Sequence, residues 1–90
     1  MAVTVKIPQF LEHLTNKTRS VEVNGSTVGE CLKELVKQFP EVKKELFDDK
    51  GEIIYYVDIY LNDESTYPET LTKPVKDGDE ISIVLMLSGG

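Results

Sequence analysis

The sequence has one cysteine, Cys31, and one histidine, His13. That pair makes no internal disulfide and no tetrahedral zinc site within one chain, so a disulfide-stapled scaffold and a structural zinc module are excluded. Sparse cysteine fits a reducing cytoplasm. Basic residues are also scarce, 10 against 16 acidic ones, for a formal net charge of -6. A nucleic-acid backbone repels such a surface, so the charge argues against nucleic-acid binding and favours a basic protein partner. No apolar run approaches the roughly 18 residues of a membrane-spanning helix. The opening MAVTVKIP lacks the basic-then-apolar order of an export signal, and the expectation is a chain neither exported nor anchored. The nearest thing to a glycine-rich loop, NGSTVGE at 24–30, has neither the lysine nor the spacing that cradles nucleotide phosphates.

What is present is enough for one folded domain. Ninety residues with 40% hydrophobic and 29% charged side chains are too apolar to stay disordered and too few for two cores. Val3, Val5 and Ile7 alternate with Thr4 and Lys6, the period of a half-buried strand, and Pro8 ends it. A second alternating run, Ser20 to Val23, follows the polar stretch HLTNKTRS, so a first hairpin with a long loop is expected. In TVGECLKELVKQF, residues Val28, Cys31, Leu32, Leu35, Val36 and Phe39 recur at helical spacing. Thr27 and Glu30 form a capping-box pattern at its start, each side chain expected to bond a backbone N–H of the other's residue, and Pro40 closes it. PEVKKELF adds a short helical turn with Val42, Leu46 and Phe47 inward, until DDKG breaks the pattern.

Ile53 to Leu61 reads as a β-rich run, with Tyr55, Val57, Ile59 and Leu61 on one face and Ile54, Tyr56, Asp58 and Tyr60 on the other. Asn62 and Asp63 supply a turn, Ser65 to Tyr67 is a short strand, KDGDE at 76–80 is a strong turn, and Ile81 to Leu87 is the last strand. The expected fold class is α+β: a mixed sheet of four to five strands with one main helix on one face.

Three further segments matter: the final SGG, VDIYLNDE (57–64) and VKDGDEISIV (75–84). In this element order they resemble, over essentially the whole chain, the ubiquitin-like β-grasp sulfur carriers of the ThiS/MoaD type. That family includes the small subunit of molybdopterin synthase, the thiamine-pathway carrier, and carriers for cysteine or methionine synthesis. The resemblance implies a β-grasp domain over 1–87 and a flexible tail over 88–90. It also implies that Gly90 is the working group, with Gly89 beside it. A ThiF/MoeB-like activating enzyme adenylates the Gly90 carboxylate with ATP and magnesium, a sulfur donor displaces AMP, and the resulting thiocarboxylate passes sulfur to an acceptor enzyme. The chain itself is then a protein cosubstrate, not an enzyme, and holds no cofactor or metal. Glycine suits a tail threaded through a narrow channel because no Cβ obstructs the backbone.

The pathway is less constrained. The tail VLMLSGG departs from the proline pair usual in molybdopterin-synthase subunits, the chain is long for the thiamine type, and the Ile53 to Glu64 region resembles carriers of amino-acid sulfur assimilation. The alternatives are the molybdopterin-synthase subunit, a ubiquitin-like modifier joined to lysines through Gly90, and a β-grasp interaction module with incidental glycines. The last strand's second face, Ser82, Val84 and Met86, is largely apolar, so Tyr56, Tyr60, Val84 and Met86 are expected to form a docking patch that continues into Leu87 and Ser88. Cys31 belongs to the helix's apolar face and reads as core, His13 as a solvated loop residue, and Asp48-Asp49 and Asp63-Glu64 as solvated turns.

Overall fold

Alternation of apolar and polar residues builds the first two strands, β1 (Ala2–Lys6) and β2 (Ser20–Asn24), which pair antiparallel with Val3 opposite Val23 and Val5 opposite Val21. All four valines are buried. The structure, a computed structural model, describes residues 1–86. The expectations for Leu87, Ser88, Gly89 and Gly90, and for a tail over 88–90, lie outside the described residues. Between β1 and β2 the chain makes a 3₁₀ turn, Gln9–Leu14, whose Leu11 side chain is fully buried. Thr15, also buried, donates its hydroxyl to the Thr18 carbonyl at 3.0 Å, so this long loop closes without an orphaned polar group.

The main helix, α1 (Val28–Gln38), buries Val28, Cys31, Leu32 and Leu35 against the sheet. Its N-terminus is capped by Thr27, whose Oγ1 accepts the Glu30 N–H at 3.2 Å. The reciprocal bond differs from the expected box. Glu30 Oε1 accepts the N–H of Ser26 at 2.7 Å, one residue ahead of the cap. Phe39 ends the helix in a non-helical conformation before Pro40. A 3₁₀ turn, Pro40–Val42, and a one-turn helix, α2 (Lys43–Leu46), then bury Val42 and Leu46, with Phe47 half-buried.

The second half departs from the sequence pattern in two places. Only Val57–Leu61 forms a strand, β3. Ile53 makes one bridge to Phe47, Ile54 N–H bonds the Leu46 carbonyl at 2.9 Å, and Val57 N–H bonds the Ile54 carbonyl at 2.9 Å. The chain is therefore tied to the end of α2 and turns through 55–56, and Tyr55, expected to share the buried face of Val57, is 89% exposed. The following strand, β4, is Glu64–Ser65, earlier and shorter than the expected Ser65 to Tyr67. Asn62 and Asp63 both have positive φ (50° and 72°), the two-residue hairpin turn that sets Leu61 opposite Glu64 and so fixes the register. Tyr67 is left outside the sheet, 79% exposed.

The last strand, β5 (Glu80–Leu85), runs parallel to β1 and antiparallel to β3, giving the order β2-β1-β5-β3-β4. The expected α+β architecture, a five-stranded mixed sheet with α1 on one face, is the observed one. Ile81 and Ile83 of β5 are buried with Val57 and Ile59 of β3 beneath α1, whereas Leu85 is only partly so. Each fully buried aliphatic side chain of this cluster contributes about 1.5–3 kcal/mol, and the cluster is continuous from β2 to β3. Cys31 is one of its members, as expected, and burial pushes its thiol above its ordinary pKa.

One glycine is required by close approach. A Cβ at Gly29, in the first turn of α1, would stand 2.6 Å from the Leu71 carbonyl oxygen, because the 3₁₀ turn Thr70–Thr72 packs backbone-first onto the helix there. Lys73 completes the dock by accepting the Val28 N–H at 2.9 Å. Gly29→Ala gains about 1 kcal/mol of helix propensity yet is expected to lose about 1–3 kcal/mol net through overpacking. Urea denaturation measures the change, and an unaltered or raised midpoint would show that the turn simply moves away.

Candidate functional site

The residue with the expected chemistry, Gly90, follows β5 in the sequence and lies outside the described residues, so the site begins with what places that strand. The turn before it, Asp77-Gly78-Asp79, bonds two separate parts of the chain, β1 and the β3–β4 turn. Asp77 Oδ1 accepts the Ala2 N–H at 2.7 Å, Gly78 N–H donates to the Ala2 carbonyl at 2.8 Å, and Thr4 N–H donates to the Asp79 carbonyl at 3.0 Å. Gly78 has φ +88°, a conformation costly to a side chain. Asp79 Oδ2 accepts the Lys76 N–H at 2.7 Å, while Oδ1 accepts Asn62 Nδ2–H at 2.9 Å. Asn62 answers from the β3–β4 turn: its Oδ1 accepts the Glu80 N–H at 2.9 Å and its own N–H donates to the Glu80 carbonyl at 2.9 Å. The first residue of β5 is thereby clamped between β1 and the β3–β4 turn.

These bonds have an electrostatic consequence. The Asn62 side-chain donor, then the Lys76 N–H, hold the Asp79 carboxyl below its ordinary value of 3.8. A depressed folded-state pKa stabilises the fold above the unfolded value, and that contribution is lost as pH falls through the folded one.

At the other end of β5, Met86 N–H donates to the Tyr56 carbonyl at 2.7 Å, extending the β3–β5 pairing by one step. Cross-strand register sets Asp58 opposite Val84 and Tyr60 opposite Ser82, so these four share the sheet face away from α1. Of the expected patch, Tyr60 and Val84 are brought to that face half-buried, Tyr56 lies partly buried against the core cluster, and Met86 is 46% exposed. Leu87, Ser88, Gly89 and Gly90 are beyond the described residues. Tyr55 stacks edge-on against Tyr56 with ring centroids 5.1 Å apart.

Sequence reasoning missed Asp58. It is 8% exposed, its Oδ1 accepts the Ile59 N–H at 2.8 Å, and Ser65 Oγ lies 2.8 Å from Oδ2 and 3.1 Å from Oδ1. The signal was legible, a carboxylate inside the otherwise apolar run VDIYL, but alternation alone assigned it to an open face. Asp48 is the solvated turn expected, its Oδ1 accepting the N–H groups of Lys50 and Glu52, and His13 is exposed at the end of the first 3₁₀ turn. Among the described residues no group of three or more His, Cys, Asp or Glu side chains is placed to hold a metal ion, and no helix is long and apolar enough to cross a membrane.

Compared with known families, the chain matches the model of the ThiS family over residues 5–90. It belongs to the ThiS family. Among curated relatives of this ThiS-family chain, the sulfur carrier protein CysO of Mycobacterium tuberculosis is 32% identical over 93 residues, spanning 100% of both chains. Small archaeal modifier protein 1 of Haloferax volcanii is 32% identical over 76 residues, 83% of this chain and 84% of that protein. Among solved structures, a chain in the Amycolatopsis orientalis BexX/CysO complex superposes with a TM-score of 0.89 at 33% identity, covering 99% of this chain and 100% of its own. The fold is thus the β-grasp of ThiS-like and CysO-like carriers. Such sulfur carriers are small protein cosubstrates and not enzymes.

Asn62→Ala removes the main group that depresses Asp79. Stability is expected to fall at neutral pH, and the difference from wild type to shrink as pH drops below 3.8, where wild-type Asp79 also becomes protonated. Denaturant midpoints between pH 2 and 7 measure this, and a difference independent of pH would contradict the coupling.

Proposed function

We propose that this chain carries sulfur on Gly90 for the synthesis of a sulfur amino acid, most directly cysteine. The observation that carries the reading is the full-length similarity to the sulfur carrier CysO, joined to a last strand clamped at its start and leading toward SGG. A carboxylate oxygen of Gly90 attacks the α-phosphorus of ATP in a ThiF/MoeB-like activating enzyme, and pyrophosphate leaves. Hydrosulfide supplied by a sulfur donor then attacks the acyl carbon, the acyl–phosphate bond breaks with departure of AMP, and one proton is lost to solvent, leaving a thiocarboxylate on Gly90. ATP and magnesium are held by the activating enzyme, and this chain supplies no cofactor. Gly89, without a Cβ, lets the tail pass a narrow channel. The thiocarboxylate then serves an acceptor enzyme in the cytoplasm.

Similarity to small archaeal modifier protein 1 supports a second reading, in which the same activated Gly90 is joined to lysines of target proteins. The small subunit of molybdopterin synthase is a weaker reading because the tail lacks the proline pair.

Tyr60 and Val84 on the outer sheet face, with Tyr56 and Met86 at its end and Leu87 and Ser88 next in the sequence, dock the enzymes that handle the tail. Val84 stands opposite Asp58, so a new carboxylate at that position would repel its neighbour and confuse the test. The double variant Tyr60→Ala with Val84→Ser is the better probe. Its KM in pyrophosphate release is expected to rise about tenfold; an unchanged KM would remove this face from the docking surface.

Mass spectrometry of the protein from its native host tests the carrier state directly. The expected outcome is a C-terminal peptide heavier by the exchange of one oxygen for sulfur. A covalent ladder on other proteins that survives thiol reagents, without any such peptide, would favour the modifier instead.

A further inference from the structure

β4 is two residues long and covers only Tyr60 and Leu61, with Thr66 N–H adding one bond to the Ile59 carbonyl at 3.0 Å. The first half of β3 is therefore paired with β5 on one side and has no strand on its β4 side. In that gap lies a groove of about 860 Å³ between the 52–57 segment and the 65–72 loop, with Met86 at its margin. Tyr55, Tyr67 and Met86, three large hydrophobic residues exposed to solvent, all line it. Its charged lining residues are Glu52, Asp58 and Glu69, every one acidic.

Asp58 is the informative member. The residue is 8% exposed, and its carboxylate is held in place by the Ile59 N–H and the Ser65 hydroxyl. The ion pairs among the described residues are Lys6–Glu80, Arg19–Glu12 and Lys37–Glu34, none of them at Asp58. A serine has one hydroxyl proton and satisfies one oxygen at a time, so this buried group keeps acceptor capacity and its charge faces no cation. Buried carboxylates are normally paired with a cation or metal. Because the Ile59 N–H is already taken, the open edge is unsuited to adding a partner's strand, and recognition here falls to side chains.

We infer that the groove receives a basic side chain, Arg or Lys, flanked by apolar residues, from the activating enzyme that takes Gly90. This rests on the carrier reading above. Met86 is four residues short of Gly90, a span of at most about 14 Å, so an enzyme holding Gly90 against ATP lies within reach of the groove. Such an enzyme gathers Lys and Arg around the nucleotide phosphates, and an acidic carrier of net charge -6 is steered toward that surface. The apolar rim then packs the flanking residues while Asp58 takes the cation.

The test is ATP–pyrophosphate exchange by the cognate activating enzyme with full-length carrier, comparing wild type with Asp58→Asn, Glu69→Lys and Tyr67→Ala. The two exposed positions carry little folding risk, and thermal melting checks the buried one. The expected result is a KM for carrier at least about tenfold higher in Asp58→Asn and Glu69→Lys. Turnover stays within about twofold and the variants lose part of the wild-type salt dependence of KM. Unchanged KM in Glu69→Lys and Tyr67→Ala overturns the assignment, as does a defect confined to the sulfur-acceptor step. No exchange with wild-type carrier overturns the carrier reading and this inference together, a result distinct from normal exchange with indifferent variants.

Discussion

The placement of the last strand depends on the hydrogen bonds around Asp79 and Asn62. A last strand in the middle of a sheet has to find two neighbours at once, one parallel and distant in sequence, one antiparallel and nearer. The Asp77-Gly78-Asp79 turn settles both registers before the strand begins, because it bonds Ala2 and Thr4 on one side and Asn62 on the other. A slip of one residue would exchange the buried Ile81 and Ile83 for Ser82 and Val84. The clamp is built from short polar side chains in turns, so its strength falls in acid, where Asp79 loses its charge.

Much of this was readable in the sequence wherever a local rule and the tertiary structure agreed. Valine alternation in β1 and β2, the helical spacing from Val28 to Phe39 and the Thr27 cap are each decided within a few residues of chain, and each is as expected. The misreadings have a common physical origin. Ile53 to Leu61 alternates as well as any strand, but its first half is bound to the end of α2 through Leu46 and Phe47, and no local pattern reveals that competition. Asp58 was misplaced because alternation reports which face a residue takes, not what covers that face.

The candidate site divides in the same way. Its tail is an expectation from resemblance that lies outside the described residues, and its base was legible through the turn and strand that precede it. The groove was not, since its walls are two irregular segments on either side of the β3–β4 hairpin and its floor is a strand edge that a shortened neighbour leaves bare. Two surfaces thus meet at Met86. One is the shallow, half-buried sheet face, and the other is a deeper acidic recess with tyrosines at its margin.

The contact between Gly29 and the Leu71 carbonyl gives this arrangement a second support. The turn that walls the recess rests on the helix, and the helix lies on the opposite side of the sheet from the shallow face. The recess therefore has its width set from behind, by a missing methyl group that no visiting protein touches. A lineage could retune which partners this surface accepts through substitutions in the first turn of α1, leaving every lining residue as it was.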